Sequence, residues 1–495
     1  MALHARSRPD HVALIDGERS LTHAELHRRV GSLAVALLSG KRLRRGDIVG
    51  LCLRDHLEHV LCLWACARAG LVMLPLDWRW TATERDSVLR HFNARCVIAE
   101  ADLPVTACPV STWQEIHADE ADPDAGRLPA TSLQSPLLLS LSSGTTGRPK
   151  GPMITHGHFL RRFWTHWINL GLNANSRFVC ATPLYFGGGR TFTLSVIFSG
   201  GTAILHSPPF EPEALAAVVE QHDANALFLV PTQLRRLLAC ASEVREPLRR
   251  LQLLVSSGSP LQANERQAIR DRLCERLHEY YASTEGGGIS LCTPRDVETH
   301  PTSVGRAIYG VDVGIVDELH RPLGPRQVGL LRYRGPGVAE AFFNDPEQSR
   351  LHFRDGWFYP GDLAEQDAQG YIYLRGRAKD TIIRGGINIY PSEIEDTLLQ
   401  LPKLRECCVL GIPDTDLGEL LACAWVGKDD LTSAQLEAHC RTALASYKLP
   451  SVWLRLSELP RNSAGKVVKD RLQASCRQAA AAEFSDPSAP RRRSS

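Results

Sequence analysis

Apolar and polar positions along this chain fall into two alternating periods. In SLTHAELHRRVGSLAVALL the apolar residues recur at helical spacing, and Thr22 with Glu25 makes the pair that opens a capping box. GDIVGLCL then reads as a short buried strand. HVLCLWACARAG (59–70) reads as a helix closed by Gly70. LVMLPLD and CVIAE read as further strands. The same rhythm returns at RFVCATPL (177–184), GTAILH (201–206), ALFLVP (226–231) and LQLLVSSG (251–258), with helical stretches such as PEALAAVVEQH between them. Strand and helix in turn predict α/β layers with mainly parallel sheets.

The texture changes at two places. Residues 115–135 are acidic and turn-rich and read as a surface loop before the apolar strand PLLLSLSSG. From about residue 300 short strands with glycine turns take over: VDVGIVD, GLLRYRG, GYIYLRGR. TIIRGGINIYPSEIEDTLLQL then reads as a hairpin running into a helix that starts at Pro391 and Ser392, and a small α+β unit follows to about residue 475.

Composition narrows the function classes. At 495 residues the chain is long enough for more than one domain. The 57 basic and 55 acidic side chains nearly cancel, which argues against nucleic acid as a partner. The basic end, Arg491 to Arg493, reads as a solvated tail. The most apolar run (60–76) is interrupted by Arg68, Gly70 and Pro75, so no membrane span is expected. The 14 cysteines contain no C-x-x-C pair. Without a leader-like opening they read as reduced thiols of a cytoplasmic protein.

The candidate chemistry begins at LSSGTTGRPKG (141–151). Gly144 and Gly147 let backbone amides turn toward a phosphate, Ser142, Ser143, Thr145 and Thr146 add hydroxyls, and Lys150 adds a point charge. Two residues separate the glycines and Arg-Pro precedes the lysine, so the spacing is not that of a Walker loop. Three further motifs follow in order: EYYASTEGG (279–287), the stretch 359–395 that includes YPGDLAEQ and GRAKDTIIRGGINIYPSEIE, and LPRNSAGKVVKDRL (459–472).

Together these four resemble the acyl-activating (ANL) superfamily of acyl-CoA synthetases, adenylation domains and firefly-type luciferases, over about residues 8–473. The resemblance implies a large N-terminal domain (1–376) of layered α/β sheets with a small β-barrel-like subdomain, which binds ATP and acid. It also implies a hinge (377–380), a smaller mobile α+β C-terminal domain (381–475) and a disordered tail (476–495). The implied activity is ATP-dependent formation of an acyl-adenylate, then transfer of the acyl group to CoA. An acyl carrier protein is the alternative acceptor, and a non-catalytic nucleotide-binding module is the alternative class.

The resemblance assigns roles residue by residue. Lys466 would meet the carboxylate and the α-phosphate as charge builds, flanked by the small Ser463, Ala464 and Gly465. Ser283 and Thr284 would lie by the α-phosphate, Glu285 on Mg²⁺, and Tyr281 against the adenine. Locally, Thr284 also reads as the cap of a helix. Asp362 and Arg377 would hold the ribose, and Lys379 would be the hinge residue. Gly385 and Gly386 would enter the site for thioester formation. Arg384, Tyr447 and Lys448 are weaker candidates for the CoA nucleotide.

In PLYFGGGRTF (183–192) Phe186 stands where the family often has histidine, and no nearby carboxylate is offered to an amino-acid ammonium. Gly187, Gly188 and Gly189 would open a slot there. Phe163, Trp164 and Trp167 would wall it, and Gly258 and Ser259, in SSGSP, would lie beside the substrate. These residues imply an apolar small-molecule carboxylic acid, aromatic or aliphatic. His156, His158 and His166 read as packing or polar residues.

Overall fold

The structure is a computed structural model that describes all residues except 102, 119–127, 129, 142–149, 462–466 and 485–495. Two compact units emerge: Met1–Val313 with Arg332–Tyr359, and Gly314–Leu331 with Pro360–Ser495.

In the first unit a nine-stranded sheet is built on six parallel strands. From one side these are Leu277–Ser283, Leu253–Ser256, Ala226–Leu229, Arg177–Cys180, Thr202–Leu205 and Val12–Asp16. Antiparallel strands close both edges. A second sheet runs Val110–Thr112, Cys96–Ala99, Ile48–Cys52, Val72–Pro75 and Pro136–Leu139 in parallel, with Met153–Thr155 antiparallel at its edge. The inner strands are buried along their whole length, as strands covered on both faces must be, which is why they read as apolar runs without alternation.

One core lies between the two sheets. It takes Leu14, Phe178 and Ala203 from the first and Val49, Leu51 and Ile98 from the second, around the helices His23–Ser39 and Leu57–Ala69. The outer face of the first sheet carries the helices Pro212–Gln221, Pro231–Ala239 and Ala263–Arg272. The outer face of the second carries Ala82–His91. The layers therefore run helix, sheet, helix, sheet, helix. Each fully buried leucine contributes about 1.5–3 kcal/mol to holding them together.

In the second unit Asp362–Gln366 pairs antiparallel with Ile372–Arg377. A long hairpin, Leu404–Asp414 with Gly418–Gly427, is covered on one face by the helices Pro391–Leu398 and Ser433–Ala443 and on the other by Lys469–Phe484. That last helix corrects the tail expected from 476. Leu472, Cys476 and Ala480 are buried at successive turns of it, so the chain stays helical to Phe484. Residues 491–493 lie outside the described residues. The loop expected over 115–135 is corrected at its start, where Trp113–Ala118 is a helix with Ile116 buried. Among the described residues no helix is long and apolar enough to cross a membrane.

Candidate active site

The motif EYYASTEGG forms a hairpin. Leu277–Ser283 pairs with Gly287–Cys292, and residues 284–286 are the turn. Thr284 therefore caps no helix, because the chain reverses into a strand instead. The turn is held by its own polar groups. Ser283 Oγ lies 2.5 Å from the Tyr333 hydroxyl and accepts from the Gly286 amide at 3.0 Å. The Glu285 carbonyl accepts from the Ala339 amide at 2.9 Å.

Behind the turn stands Arg162, buried in the helix His156–Leu170. Its guanidinium donates to the carbonyls of Gly337 (3.0 Å), Thr284 (3.2 Å) and Glu285 (2.7 Å). Desolvation lowers its pKa to about 10, which leaves it charged at neutral pH. The backbone of the turn is thus fixed from one side. The half-buried Glu285 carboxylate makes no hydrogen bond or salt bridge among the described residues. Tyr281, the neighbour assigned to adenine, is half-buried, whereas Tyr280 is core and bonds Thr165 Oγ1 at 3.1 Å.

The turn 183–186, expected to border the acid, is anchored just as firmly. Leu184 N donates to Asp55 Oδ1 at 2.5 Å. Arg190, 1% exposed, donates back to the Leu184 and Tyr185 carbonyls at 3.1 and 2.9 Å and to Ser140 Oγ at 3.0 Å. The Tyr185 hydroxyl accepts from Arg79, which also holds Asp77. Phe186 is half-buried and precedes the helix Gly187–Ser199.

Only part of the glycine slot survives. A Cβ on Gly187 would meet nothing within 4 Å, so that position faces open space. On Gly188 it would stand 2.7 Å from the Phe228 ring, and on Gly189 2.4 Å from the Thr182 carbonyl. Those two glycines permit close packing rather than a pocket. Trp164 is 45% exposed. Phe163 and Trp167 pack on Phe198 at 5.6 and 5.9 Å, within the core. Gly258 and Ser259 are exposed at the end of Leu253–Ser256. His166 stacks on Phe192 at 4.1 Å, and burial lowers its pKa to about 3, so it is neutral.

Lys150 Nζ donates to Gln348 Oε1 at 2.5 Å. Ser142, Ser143, Gly144, Thr145, Thr146 and Gly147 lie outside the described residues, as do Lys466 and the small residues before it.

In the second unit Asp362 sits opposite Arg377, their side chains 2.7 Å apart. Lys379 is exposed in the short turn Ala378–Asp380. Gly385 and Gly386 form the two-residue turn between Ile382–Arg384 and Ile387–Ile389. Their φ angles of +56° and +80° are left-handed, which favours glycine at both places. Arg384 is buried and donates to the Tyr447 carbonyl at 2.7 Å, and Lys448 pairs with Glu393 at 2.5 Å.

Three residues of this geometry carried no motif in the sequence: Arg162, Arg190 and Asp55. The signal for the first two was present, because HFLRRFW and GGGRTF each set an arginine inside an apolar helical stretch.

The chain belongs to the AMP-binding enzyme family, which matches residues 1–343. The AMP-binding enzyme C-terminal domain matches residues 393–466. This bears out the superfamily resemblance and the α/β fold class. Among curated proteins the chain is 32% identical to a feruloyl-CoA synthase of Amycolatopsis sp, with 95% of this chain and 96% of that protein covered. It is 31% identical to an indoleacetate–CoA ligase of Aromatoleum aromaticum, covering 94% and 95%. Among solved structures, ATP-bound MatB from Rhodopseudomonas palustris superposes with a TM-score of 0.88 at 27% identity, covering 96% of this chain and 98% of that one. The o-succinylbenzoate CoA synthetase MenE from Bacillus subtilis, in complex with its acyl-adenylate intermediate, superposes with a TM-score of 0.86 at 25% identity, covering 95% and 97%.

Proposed function

We propose that the protein is an AMP-forming acid–CoA ligase acting on an apolar, aryl-bearing carboxylic acid. The observation that carries this reading is the turn of Thr284 and Glu285, clamped from behind by Arg162, with a carboxylate that makes no hydrogen bond or salt bridge among the described residues, in a chain related to acid–CoA ligases over nearly its whole length. The named acids of those relatives support an aromatic substrate. The 183–192 segment offers no carboxylate to pair with an amine, which argues against an α-amino acid.

In the first step a carboxylate oxygen of the acid attacks the α-phosphorus of ATP. The bond to the β-phosphate oxygen breaks, and pyrophosphate leaves. In the second step the CoA sulfur attacks the acyl carbon, the C–O bond to AMP breaks, and the thiol proton is released. Both steps gather negative charge, so fixed cations and donors supply most of the acceleration. Lys466 and Lys150 supply cations, and Ser142 to Gly147 supply donors. Thr284 and Ser283 orient the α-phosphate. Tyr281 lies against adenine, and Asp362 and Arg377 hold the ribose.

Glu285 suits magnesium, because a hard cation takes a free carboxylate oxygen and keeps phosphate oxygens and waters as its other ligands. Magnesium there would offset phosphate charge. Phe186, Gly187 and Gly258 to Ser259 border the acid. The adenylating domain (1–376) and the C-terminal domain (381–475) turn about 377–380, so that Lys466 serves the first step and the Gly385–Gly386 turn the second. The free thiols fit a cytoplasmic setting.

The test is exchange of labelled pyrophosphate into ATP across a panel of aromatic and aliphatic acids, followed by AMP release with CoA. Acid-dependent exchange and CoA-dependent release are expected. No exchange with any acid would favour a nucleotide-binding module, and release that needs a carrier protein would replace CoA as the acceptor. Lys466→Ala should slow adenylation by about 10²-fold or more while sparing thioester formation from supplied acyl-adenylate. Equal loss in both half-reactions would refute the assigned role.

A further inference from the structure

Four arginines of the first unit are buried, Arg85, Arg162, Arg190 and Arg266, and they are satisfied in two different ways. Arg85 donates to the carbonyls of Trp78 and Trp80. Arg266 has the usual partner, the Glu279 carboxylate, with both contacts at 2.8 Å. Arg162 and Arg190 have none. Among the described residues neither makes a salt bridge; the donors that are engaged go to backbone carbonyls and one serine hydroxyl, and Arg190 Nε has no partner. A buried guanidinium without a carboxylate is costly. Carbonyl dipoles offset that cost only where several are turned toward it at once, so each arginine dictates how its segment of backbone lies.

The segments concerned are those of the site. Arg162 holds the carbonyls of Thr284 and Glu285, the two residues assigned to phosphate and magnesium. Space is left for it, since a Cβ on Gly337 would lie 2.9 Å from Arg162 Cγ, and one on Gly287 3.0 Å from it. Arg190 holds Leu184 and Tyr185, just before Phe186, and ties them to Ser140, at the end of the strand that leads into the phosphate loop. A guanidinium spans several carbonyls because its five N–H groups lie in one rigid plane, and a lysine ammonium does not reproduce that fork.

We propose that Arg162 and Arg190 are the positioning residues of the two halves of the site. Arg162 sets the turn of Thr284 and Glu285 for magnesium–ATP, and Arg190 sets the 183–186 turn for the acid. This division rests on the acid-activating reading above, and it gives each arginine its own kinetic signature. A residue needed only for folding would lower the active fraction and leave both Michaelis constants alone.

The experiment compares Arg162→Lys, Arg162→Met, Arg190→Lys and Arg190→Met with the unaltered chain in pyrophosphate exchange, varying magnesium–ATP and acid separately. The Arg162 variants should raise KM for magnesium–ATP about tenfold or more with the acid KM within about twofold, and the Arg190 variants should do the reverse. If the methionine variants do not fold, the lysine variants, which keep the charge and lose the fork, decide the matter. Folded lysine variants that shift both constants alike, or neither, overturn the proposal. Absence of acid-dependent exchange in the unaltered protein refutes the functional reading instead. Calorimetric titration of magnesium–ATP then tests Arg162 alone, with about tenfold weaker binding to Arg162→Lys expected and equal affinity overturning its role.

Discussion

Asp55 accepts from the Leu184 amide with one oxygen, and among the described residues its other oxygen is buried without a hydrogen-bond partner. Desolvation pushes its carboxyl up to about 7, and Asp77 adds to the shift against the opposing pull of the Leu184 amide and Arg79. The folded chain therefore keeps this proton to about pH 7, while the unfolded chain releases it near pH 4. Folding takes up a proton across that window, so the contribution of Asp55 to stability falls as pH rises from about 4 to about 7. Asp55→Asn keeps the acceptor for Leu184 and removes the titration. Its melting temperature relative to the unaltered chain should climb by several degrees between about pH 5 and pH 7.5. Thermal melts of both proteins at the two pH values check this, and a constant difference would refute it. At this scale the sequence showed the motif residues more plainly than the ones packed behind them. Thr284, Glu285, Asp362 and Gly385 stand in the motifs that the proposed ligands would order. Asp55, Arg162 and Arg190 bond mainly to backbone carbonyls and amides, which any residue supplies, so the only sequence signal is an arginine set in an apolar helical stretch, and Asp55 has none.

The elements were legible where local chemistry decides them. The Thr22 and Glu25 box opens His23–Ser39, and Gly70 closes Leu57–Ala69 with φ at +70°. The glycine pair at 385 and 386 makes the turn its φ angles require. Two helices were missed because their signal is tertiary. Trp113–Ala118 sits in acidic, turn-like sequence but buries Ile116, and the alanine-rich stretch after Cys476 is held in the helix by packing of Cys476 and Ala480 on the long hairpin. The Gly385–Gly386 turn also separates a local effect from a functional one. A Cβ on Gly386 would meet nothing within 4 Å, so Gly386→Val costs only backbone strain, about 1–2 kcal/mol. The variant should fold, with a slightly lower melting temperature. If this turn enters the site for the second step alone, pyrophosphate exchange should stay near its original rate while thioester formation slows by about tenfold or more. Slowing of both steps together would refute that placement of the turn.

For the whole molecule, alternating strand and helix signals were enough to give the layered α/β class, because parallel strands buried on both faces advertise themselves as unbroken apolar runs. Motion is a different matter, since it depends on a few residues whose backbone must change. The hinge proposed at 377–380 is a short exposed turn in which Lys379 presents its side chain to solvent. Its neighbour Asp380 is paired with Lys469 at 2.8 Å, and Lys469 stands three residues beyond Lys466. Glu395 is half-buried beside that pair; desolvation pushes its carboxyl up and Lys469 opposes the push. A rotation at Lys379 would then move the paired Asp380 and Lys469 together. Proline at 379 fixes φ near −65° and restricts Ala378 before it, without touching the Asp380–Lys469 pair. Lys379→Pro should therefore leave pyrophosphate exchange within about twofold and slow thioester formation from supplied acyl-adenylate by about tenfold or more. Rapid-quench measurement of each half-reaction separates the two rates. Thioester formation at the original rate would remove 377–380 as the hinge. Equal slowing of both steps would mean that proline had disturbed the site itself rather than the passage between its two arrangements.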